Sequence, residues 1–320
     1  MKFLFYFVLL FVAFLSEVSC QRKSLQLSKQ PINTQIIGDS VIVANNNIVT
    51  LKIDLTKGGA ISYISASDSS RNMVNIYDKG RYIQQSYYAG NKINRIAQGQ
   101  NPSWSPWSWN PIQVGDSYGN HSKLLSYWLH GDTIYTKCIP MLWDMNNMPA
   151  QAIMEQWNVL DSNAIEVHCK LSCMRTDTIY ANNVSRDQEL PAVYLISLLD
   201  HLYTYMGNSP FTQDTVNNPT VVHLSSGFWG RYENVSEHWM AFVNNQLWGV
   251  GVYNPTCTHF LAGMAGTAGG EATDASTCYI APVQSMVLNK NSVYEYTYYI
   301  IIGTVSQIRA KVYQLNTLSH

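Results

Sequence analysis

From Ser40 to Leu55 the chain reads SVIVANNNIVTLKIDL, and its apolar residues alternate with polar ones: Val41 and Val43, then Leu51, Ile53 and Leu55 after Ile48. A period of two, broken by Asn45-Asn46-Asn47 and again by Gly58-Gly59, specifies half-buried strands joined by tight turns. The rhythm continues in SKLLSYWLHGDTIYTKCIPML around His130-Gly131-Asp132, in MEQWNVLDSNAIEVHCKLS around Asp161-Ser162-Asn163, and over 221–253 around Asn244-Asn245. SVYEYTYYIIIGTV (292–305) is the strongest strand signal. Residues 190–206, bounded by Pro191 and Pro210, read as a short helix or a strand, Gly263 to Ala275 as a loop, and Ser306 to Leu315 as a closing helix. No long amphipathic helix and no internal repeat competes with this pattern. The expectation is one all-β domain of large antiparallel sheets over residues 41–320, a length that single β units reach.

The first twenty residues read as an export signal: Lys2, an apolar run from Phe3 to Leu15 too short to span a bilayer, and Val18-Ser19-Cys20 before a cut at Gln21. Residues 21–40 read as a polar lead-in. Cys20 as a lipid-attachment site is the lesser expectation, because Glu17 stands where such a signal wants Leu. A secreted chain without a transmembrane segment permits disulfides, and five cysteines follow the cut. Cys257 and Cys278 flank the Gly-rich loop and could close it, while Cys138 could pair with Cys169 or Cys173. Cys169 and Cys173 lie too far apart in an extended strand to bridge each other. His168-Cys169 with Cys173 lacks the second ligand pair of a zinc site, Asp116 has no calcium-loop pattern around it, and no Lys follows the glycines of 263–275. No metal or cofactor is expected. Sequons stand at Asn120, Asn183 and Asn234.

The series Gly58-Gly59-Ala60-Ile61-Ser62-Tyr63-Ile64, a turn containing Asp68, then MVNIYDKGRYIQQSYY resembles the opening of galactose-mutarotase-like domains. The paired strands of 154–172 and the segments 188–212 and 236–255 extend the resemblance over most of residues 48–310. It implies a supersandwich, a large antiparallel β-sandwich, and a carbohydrate-active protein. The family's catalytic His and Glu motifs find no clear match here.

Function is concentrated between Asn75 and Asn120. This stretch holds Arg81, Gln84, Gln85, Tyr87, Tyr88, Trp104, Trp107, Trp109, Asn110, Gln113 and Asp116. Pro102, Pro106 and Pro111 exclude a helical stripe for the three tryptophans, so they fold as a loop whose rings either plug the sandwich end or stack on sugar faces. Charged residues are only 13% of the chain and net charge is −1, so nucleic acid is not an expected partner. Tyr and Trp number 21 and 9, aromatic side chains with a polar handle. The expected partner is a polysaccharide or oligosaccharide, bound by Arg81, Gln85, Tyr87, Tyr88, Trp107, Trp109, Asn110, Gln113, Asp116 and Trp239.

Hydrolysis of a glycosidic bond needs two carboxylic groups. Glu189, before Leu190-Pro191, and Glu237, in Glu237-His238-Trp239, are the candidates, with His238 beside them; Asp116 and Glu155 are weaker ones. Each could equally be a solvated acid. Elimination on a uronate would instead use Arg81, Gln85, Asn110 or Gln113 to neutralise the carboxylate, and Tyr87, Tyr88, His130 or His238 as base. A non-catalytic glycan-binding protein and a sugar epimerase complete the alternatives. Hydrolysis is favoured over elimination, and the aromatic loop points to a ligand longer than one sugar.

Overall fold

The computed structural model describes residues 32–226 and 228–318. The export signal, Cys20 and most of the lead-in lie outside the described residues. Alternation becomes two large antiparallel sheets. The larger runs, in spatial order, Asn33–Ile37, Val41–Asn45, Val49–Asp54, Ala60–Ala66, Ile83–Ser86, Ser185–Ile196, Thr277–Val287, His259–Ala265 and Gly230–Tyr232, with the short strands Pro111–Ile112 and Met141–Leu142 branching from Ile83–Ser86. The smaller runs His201–Thr204, Trp239–Val243, Trp248–Tyr253, Val293–Thr304, Ala164–Cys173, Ala152–Asp161, Thr133–Ile139 and Lys123–His130. A separate two-stranded ribbon joins Ala89–Ile93 to Trp107–Trp109.

Successive side chains on a strand face opposite ways, so each strand divides its residues between the core and an outer face. Met240, Phe242, Val250 and Val252 of the smaller sheet and Val193, Leu195, Phe260 and Ile280 of the larger sheet belong to the one main core. The alternate residues of the smaller sheet are apolar too: Trp239, Ala241, Val243, Tyr253 and Ile301 form a second cluster with Val305, Ile308, Val312 and Leu315 of the terminal helix Val305–Leu318. Those helix positions fall on one face, which seals the outside of the smaller sheet. Gly251 makes the close approach possible, since a Cβ there would sit 2.4 Å from Ile308 Cγ2. Among the described residues no helix covers the outer face of the larger sheet in this way.

The strand order is the two-sheet supersandwich that the N-terminal motifs implied. Ser185–Ile196 is a strand rather than a helix, and the loop after His259–Ala265 begins only at Gly266, because strand pairing to Thr277 continues through Ala265. The lead-in ends earlier than expected: Asn33–Ile37 pairs with Val41–Asn45 as an exposed edge strand, held by backbone pairing rather than by burial. The disulfides are corrected as well. Cys138, Cys169, Cys173, Cys257 and Cys278 are all free and buried. Cys278 donates its thiol to the Leu199 carbonyl at 3.1 Å, and Cys257 lies 3.9 Å from His238 Nδ1. No described helix is long and apolar enough to cross a membrane.

Two outcomes follow. Gly251→Ala forces Ile308 off the sheet and should cost about 1–3 kcal/mol in urea unfolding, the usual range for overpacking. Thiol titration of a chain beginning at Gln21 should find five reactive thiols in denaturant, whether or not a reductant is used first, and none in the native state, where burial pushes Cys138 up to about 12 and raises the others too.

Candidate active site

The uncovered face of the larger sheet carries the site. Along Ser185–Ile196 and Thr277–Val287 the side chains pointing away from the core are Asp187, Glu189, Ala192 and Tyr194, and Tyr279, Ala281, Val283 and Ser285. The ladder between these strands is regular from Ser185 to Glu189, then shifts register before Val193. The bulge falls on Leu190 and Pro191, and Pro191 has no N–H to give a ladder. Bulges re-aim side chains beside them. Here Glu189 and Ala192, not Glu189 and Pro191, keep the outward face.

The resulting cleft holds about 680 Å³. One wall is aromatic and, Trp143 apart, comes from the segment the sequence singled out: Tyr88 meets Trp107 edge-on at 6.2 Å, Trp107 meets Trp104 at 5.1 Å, and Trp104 meets Trp143 at 5.3 Å. Tyr194, Trp229 and the exposed Phe228 also line the cleft, and Tyr194 and Trp229 rest on the buried Tyr279 at 4.8 and 4.6 Å. A side lobe of about 440 Å³ shares Tyr88, Trp107, Glu189 and Leu261 with the cleft and adds Lys92, Arg186 and Asp187.

Glu189 sits where cleft and lobe meet. Its Oε1 accepts from Tyr279 at 2.6 Å and its Oε2 from Tyr88 at 3.3 Å. Burial lifts its carboxyl above the ordinary range, and hydrogen bonds from Tyr279, Ser86 and Tyr88 reduce the rise without cancelling it. Burial and the nearby Glu189 push the Tyr88 and Tyr279 hydroxyls far above their ordinary value, so both stay protonated donors. Asp187, two residues earlier on the same face, is held the other way. Burial pushes it up, but hydrogen bonds from Ser285 and Arg231 and the Arg231 charge bring it below the ordinary range. Arg231 Nη1 lies 2.5 Å from Asp187 Oδ2, its Nε bonds Glu233, and His259 Nε2 is 3.5 Å from Asp187. From the rise per residue, Asp187 and Glu189 are about 6.6 Å apart along the strand.

The structure brings together only some of the residues expected from the sequence. Tyr88, Trp104, Trp107, Glu189 and Arg81 line the cleft. Arg81 is largely spent on structure, pairing with Asp78 at 3.4 Å and donating to Asn75. Asn110 borders the cleft but is buried, accepting from Trp107 Nε1 at 3.1 Å and donating to the Tyr87 carbonyl at 2.8 Å; it holds the wall rather than a ligand. Gln85, Tyr87 and Gln113 form an internal network: Tyr87 donates to Gln85, and the Gln85 N–H donates to Gln113. Trp109 is buried under the Arg175 guanidinium. Asp116 caps its own turn, accepting from the backbone N–H of Tyr118, Asn120 and Asn147. These are corrections: residues with the composition of a binding surface are buried and spent on strand, wall and turn bonds instead of facing the cleft.

Glu237, His238 and Trp239 line neither the cleft nor the lobe. Glu237 and Trp239 stand on the helix-covered side of the smaller sheet, where Glu237 takes both Arg309 Nε at 2.9 Å and Nη2 at 2.8 Å, Trp239 Nε1 at 2.9 Å and the Tyr313 hydroxyl at 2.7 Å. His238 lies against Cys257, Trp239 is fully buried, Glu155 accepts from Tyr135, and His130 ends an exposed strand of the smaller sheet. The sequence reading passed over Asp187, Tyr194, Trp229 and Tyr279. Asp187 carried a usable signal, since Asp-x-Glu within a strand puts two acids on one face. No short-range signal marks the others.

No protein-family model matches the chain, and no curated protein matches it in sequence. Similar solved structures include a putative aldose 1-epimerase from Escherichia coli K12, at 10% identity over 86% of this chain and 99% of that one, with a TM-score of 0.46. A galactose mutarotase related enzyme from Lactobacillus acidophilus is 8% identical over 82% of this chain and 97% of that one, with a TM-score of 0.49. A 4-alpha-glucanotransferase from Thermococcus litoralis is 10% identical over 85% of this chain but 39% of its own length, with a TM-score of 0.45. At these values the likeness carries nothing about this chain's reaction.

Glu237 provides a prediction on stability. Burial pushes its carboxyl up, but the bonds from Arg309, Trp239, Tyr313 and the Phe211 N–H outweigh this and set it below the ordinary glutamate value of 4.5. A depressed carboxyl stabilises the fold above its unfolded value, and that stability drains as pH falls through the folded value. Glu237→Gln should cost about 3–5 kcal/mol at neutral pH, as breaking a buried ion pair does, and should flatten the loss of stability below pH 4.5 in urea titrations.

Proposed function

We propose that this protein is an exported carbohydrate-active enzyme that hydrolyses a glycosidic bond of an oligosaccharide or polysaccharide, with Glu189 as proton donor and Asp187 as the carboxylate that activates water or attacks carbon. The observation that carries this reading is the divergence of the two acids: burial favours a protonated Glu189, while Ser285 and Arg231 favour an ionised Asp187 on the same strand face. Two carboxyl groups with opposed environments are the acid–base assignment that glycoside hydrolysis requires, and both leave the same strand on its outward face, two residues apart. The walls of Trp104, Trp107, Trp143 and Trp229 suit the apolar faces of sugar rings. Export rests on residues 1–20 of the sequence.

Elimination is less well supported. Its candidate bases are misplaced or too basic: Tyr88 sits beside Glu189 with a raised hydroxyl, Tyr87 is in the core, and His130 and His238 belong to the other sheet. Among the described residues no histidine lines the cleft, which also weighs against epimerisation by a histidine and a carboxylate.

Incubation with neutral and acidic polysaccharides should produce reducing ends without a rise in absorbance at about 235 nm, the signature of an unsaturated uronate. Glu189→Gln should lower kcat by about 10²–10⁴-fold, the span of general acid catalysis, with ligand binding retained. Asp187→Asn should do the same. Because the Glu189 carboxyl lies above the usual range, the alkaline limb of kcat/KM should fall at a higher pH than an ordinary carboxylate gives, and it should vanish with Glu189→Gln. Full turnover by Glu189→Gln would remove the assignment.

A further inference from the structure

Asp187 has a difficulty as the carboxylate that activates water. The Arg231 charge that keeps it ionised also opposes its taking a proton, and a carboxylate held below the ordinary range is a poor base. Beside it stands a group that the reaction has not yet used. His259 pairs directly with Val283, and Val283 pairs on its other side with Glu189, so His259 shares the outward face with the two acids. It is only 2% exposed, and its Nε2 lies 3.5 Å from Asp187 Oδ2. That separation is too long for a formed hydrogen bond, and Nε2 has no other partner among the described residues.

The other ring nitrogen fixes where the proton sits. Thr258 Oγ1 donates to the Val283 carbonyl at 3.2 Å and lies 3.0 Å from His259 Nδ1. A hydroxyl has one proton to give, and once it goes to the carbonyl, Thr258 accepts from Nδ1–H. Neutral His259 therefore carries its proton on Nδ1 and turns a bare lone pair on Nε2 toward Asp187. The run of bonds from Val283 through Thr258 and His259 to Asp187 is complete only when Nε2 gains a second proton. The charged groups around the ring are Asp187, Arg231 and Glu233. Burial and the Arg231 charge pull the imidazole below the ordinary histidine value of 6.5, against the opposite pull of Asp187 and Glu233, so the ring is neutral in the resting protein at neutral pH. An imidazole is ordinarily a far stronger base than a carboxylate, and this carboxylate is itself weakened by Arg231.

We infer that His259 is a positioning residue that acts through Asp187: its Nε2 is where the proton taken from the attacking water comes to rest. The inference rests on the hydrolase reading and selects, of the two roles given to Asp187, the activation of water. As the water oxygen bonds the anomeric carbon, a water proton passes to Asp187 and from Oδ2 to His259 Nε2. The glycosidic bond breaks with its electron pair on the leaving oxygen, which takes the Glu189 proton. Solvent then carries the His259 proton back to Glu189, and both residues return to their starting state. The long Nε2 to Oδ2 approach is of the kind that tightens when substrate closes on a site.

Two measurements test this, and the first needs no substrate. A chain beginning at Gln21 with isotopically labelled histidine rings is followed by long-range proton–nitrogen spectroscopy from about pH 8 to about pH 4, with His259→Gln assigning the ring. The ring should show Nδ1–H and a bare Nε2 at neutral pH, and Nε2 should take its proton below 6.5. Asp187→Asn removes the facing charge and should lower that midpoint by about one pH unit or more. A proton on Nε2 at neutral pH, or a midpoint unmoved by Asp187→Asn, overturns the inference. The second measurement uses the polysaccharide of the incubations above that yields reducing ends. His259→Gln leaves beside Asp187 an amide that cannot take a proton. It should lower kcat at least about tenfold with KM unchanged, and the acid limb of kcat should move to lower pH, toward the range of Asp187 alone. A histidine that only supports the fold would lower the Tm and leave the limb in place. Cleavage by His259→Gln with an unmoved limb removes the role of His259 and leaves the hydrolase standing. If the unmutated chain cleaves nothing, the hydrolase reading falls and the role of His259 falls with it.

Discussion

The arrangement of this site depends on one buried amide. Gln188 accepts from the Tyr88 N–H through Oε1 and donates to the Tyr88 carbonyl through Nε2, both at 2.8 Å. It thereby imitates a pair of ladder bonds between Ser185–Ile196 and the segment that leaves Ile83–Ser86. Direct pairing between those strands is interrupted by the bulge after Glu189. The last direct pair before Tyr88 is Ser86 with Glu189, and the amide extends that register by the bonds the backbone of Tyr88 would otherwise lack. With it, the Tyr88 hydroxyl reaches Glu189 from one side while Tyr279 reaches it from the other. A side chain buried to completion on the inner face thus sets the geometry of the outer face.

The two sheets spend their outer faces differently. The smaller sheet is apolar outside as well as inside and is closed by the terminal helix, anchored by the Arg309–Glu237 pair and by Lys311 to Asp161. The larger sheet keeps a mixture of aromatic and titratable side chains that no helix among the described residues covers. Its half-buried acid is held in an environment that opposes ionisation, so part of the stability supplied by the sealed sheet is offset at the open one. A strained or desolvated group survives only where its surroundings over-determine it.

Much of the fold was legible in the sequence, because a period of two with Asn, Gly and Asp turns leaves few alternatives. The turns at Ser162 and Gly131, with positive φ, and the strand Val293–Thr304 fall where the pattern puts them. The aromatic wall was legible for a similar reason: prolines around Trp104 and Trp107 deny them a helix. What failed was direction. Within the segment from Asn75 to Asn120, Gln85, Tyr87, Gln113 and Trp109 have the residue types of a binding surface and the burial of a core, and only the register of the strands separates them from Tyr88 and Trp107. Glu237 misled for another reason. Its aromatic neighbourhood is genuine, but Arg309, more than seventy positions away in sequence, makes it structural. Trp229 and Tyr279 reach the cleft through pairings far from Glu189 along the chain, a separation that local pattern does not record.

The position of Asp187 and Glu189 around Gln188 has a consequence for the threading of this strand. The acids point out while Gln188 and Leu190 point in, so a slip of one residue in this strand would drive two carboxylates into the core and an amide and a leucine into the cleft. No intermediate register keeps half of the arrangement. A chain threaded out of register therefore loses the outward pair of acids altogether, together with the tyrosine bonds around Glu189.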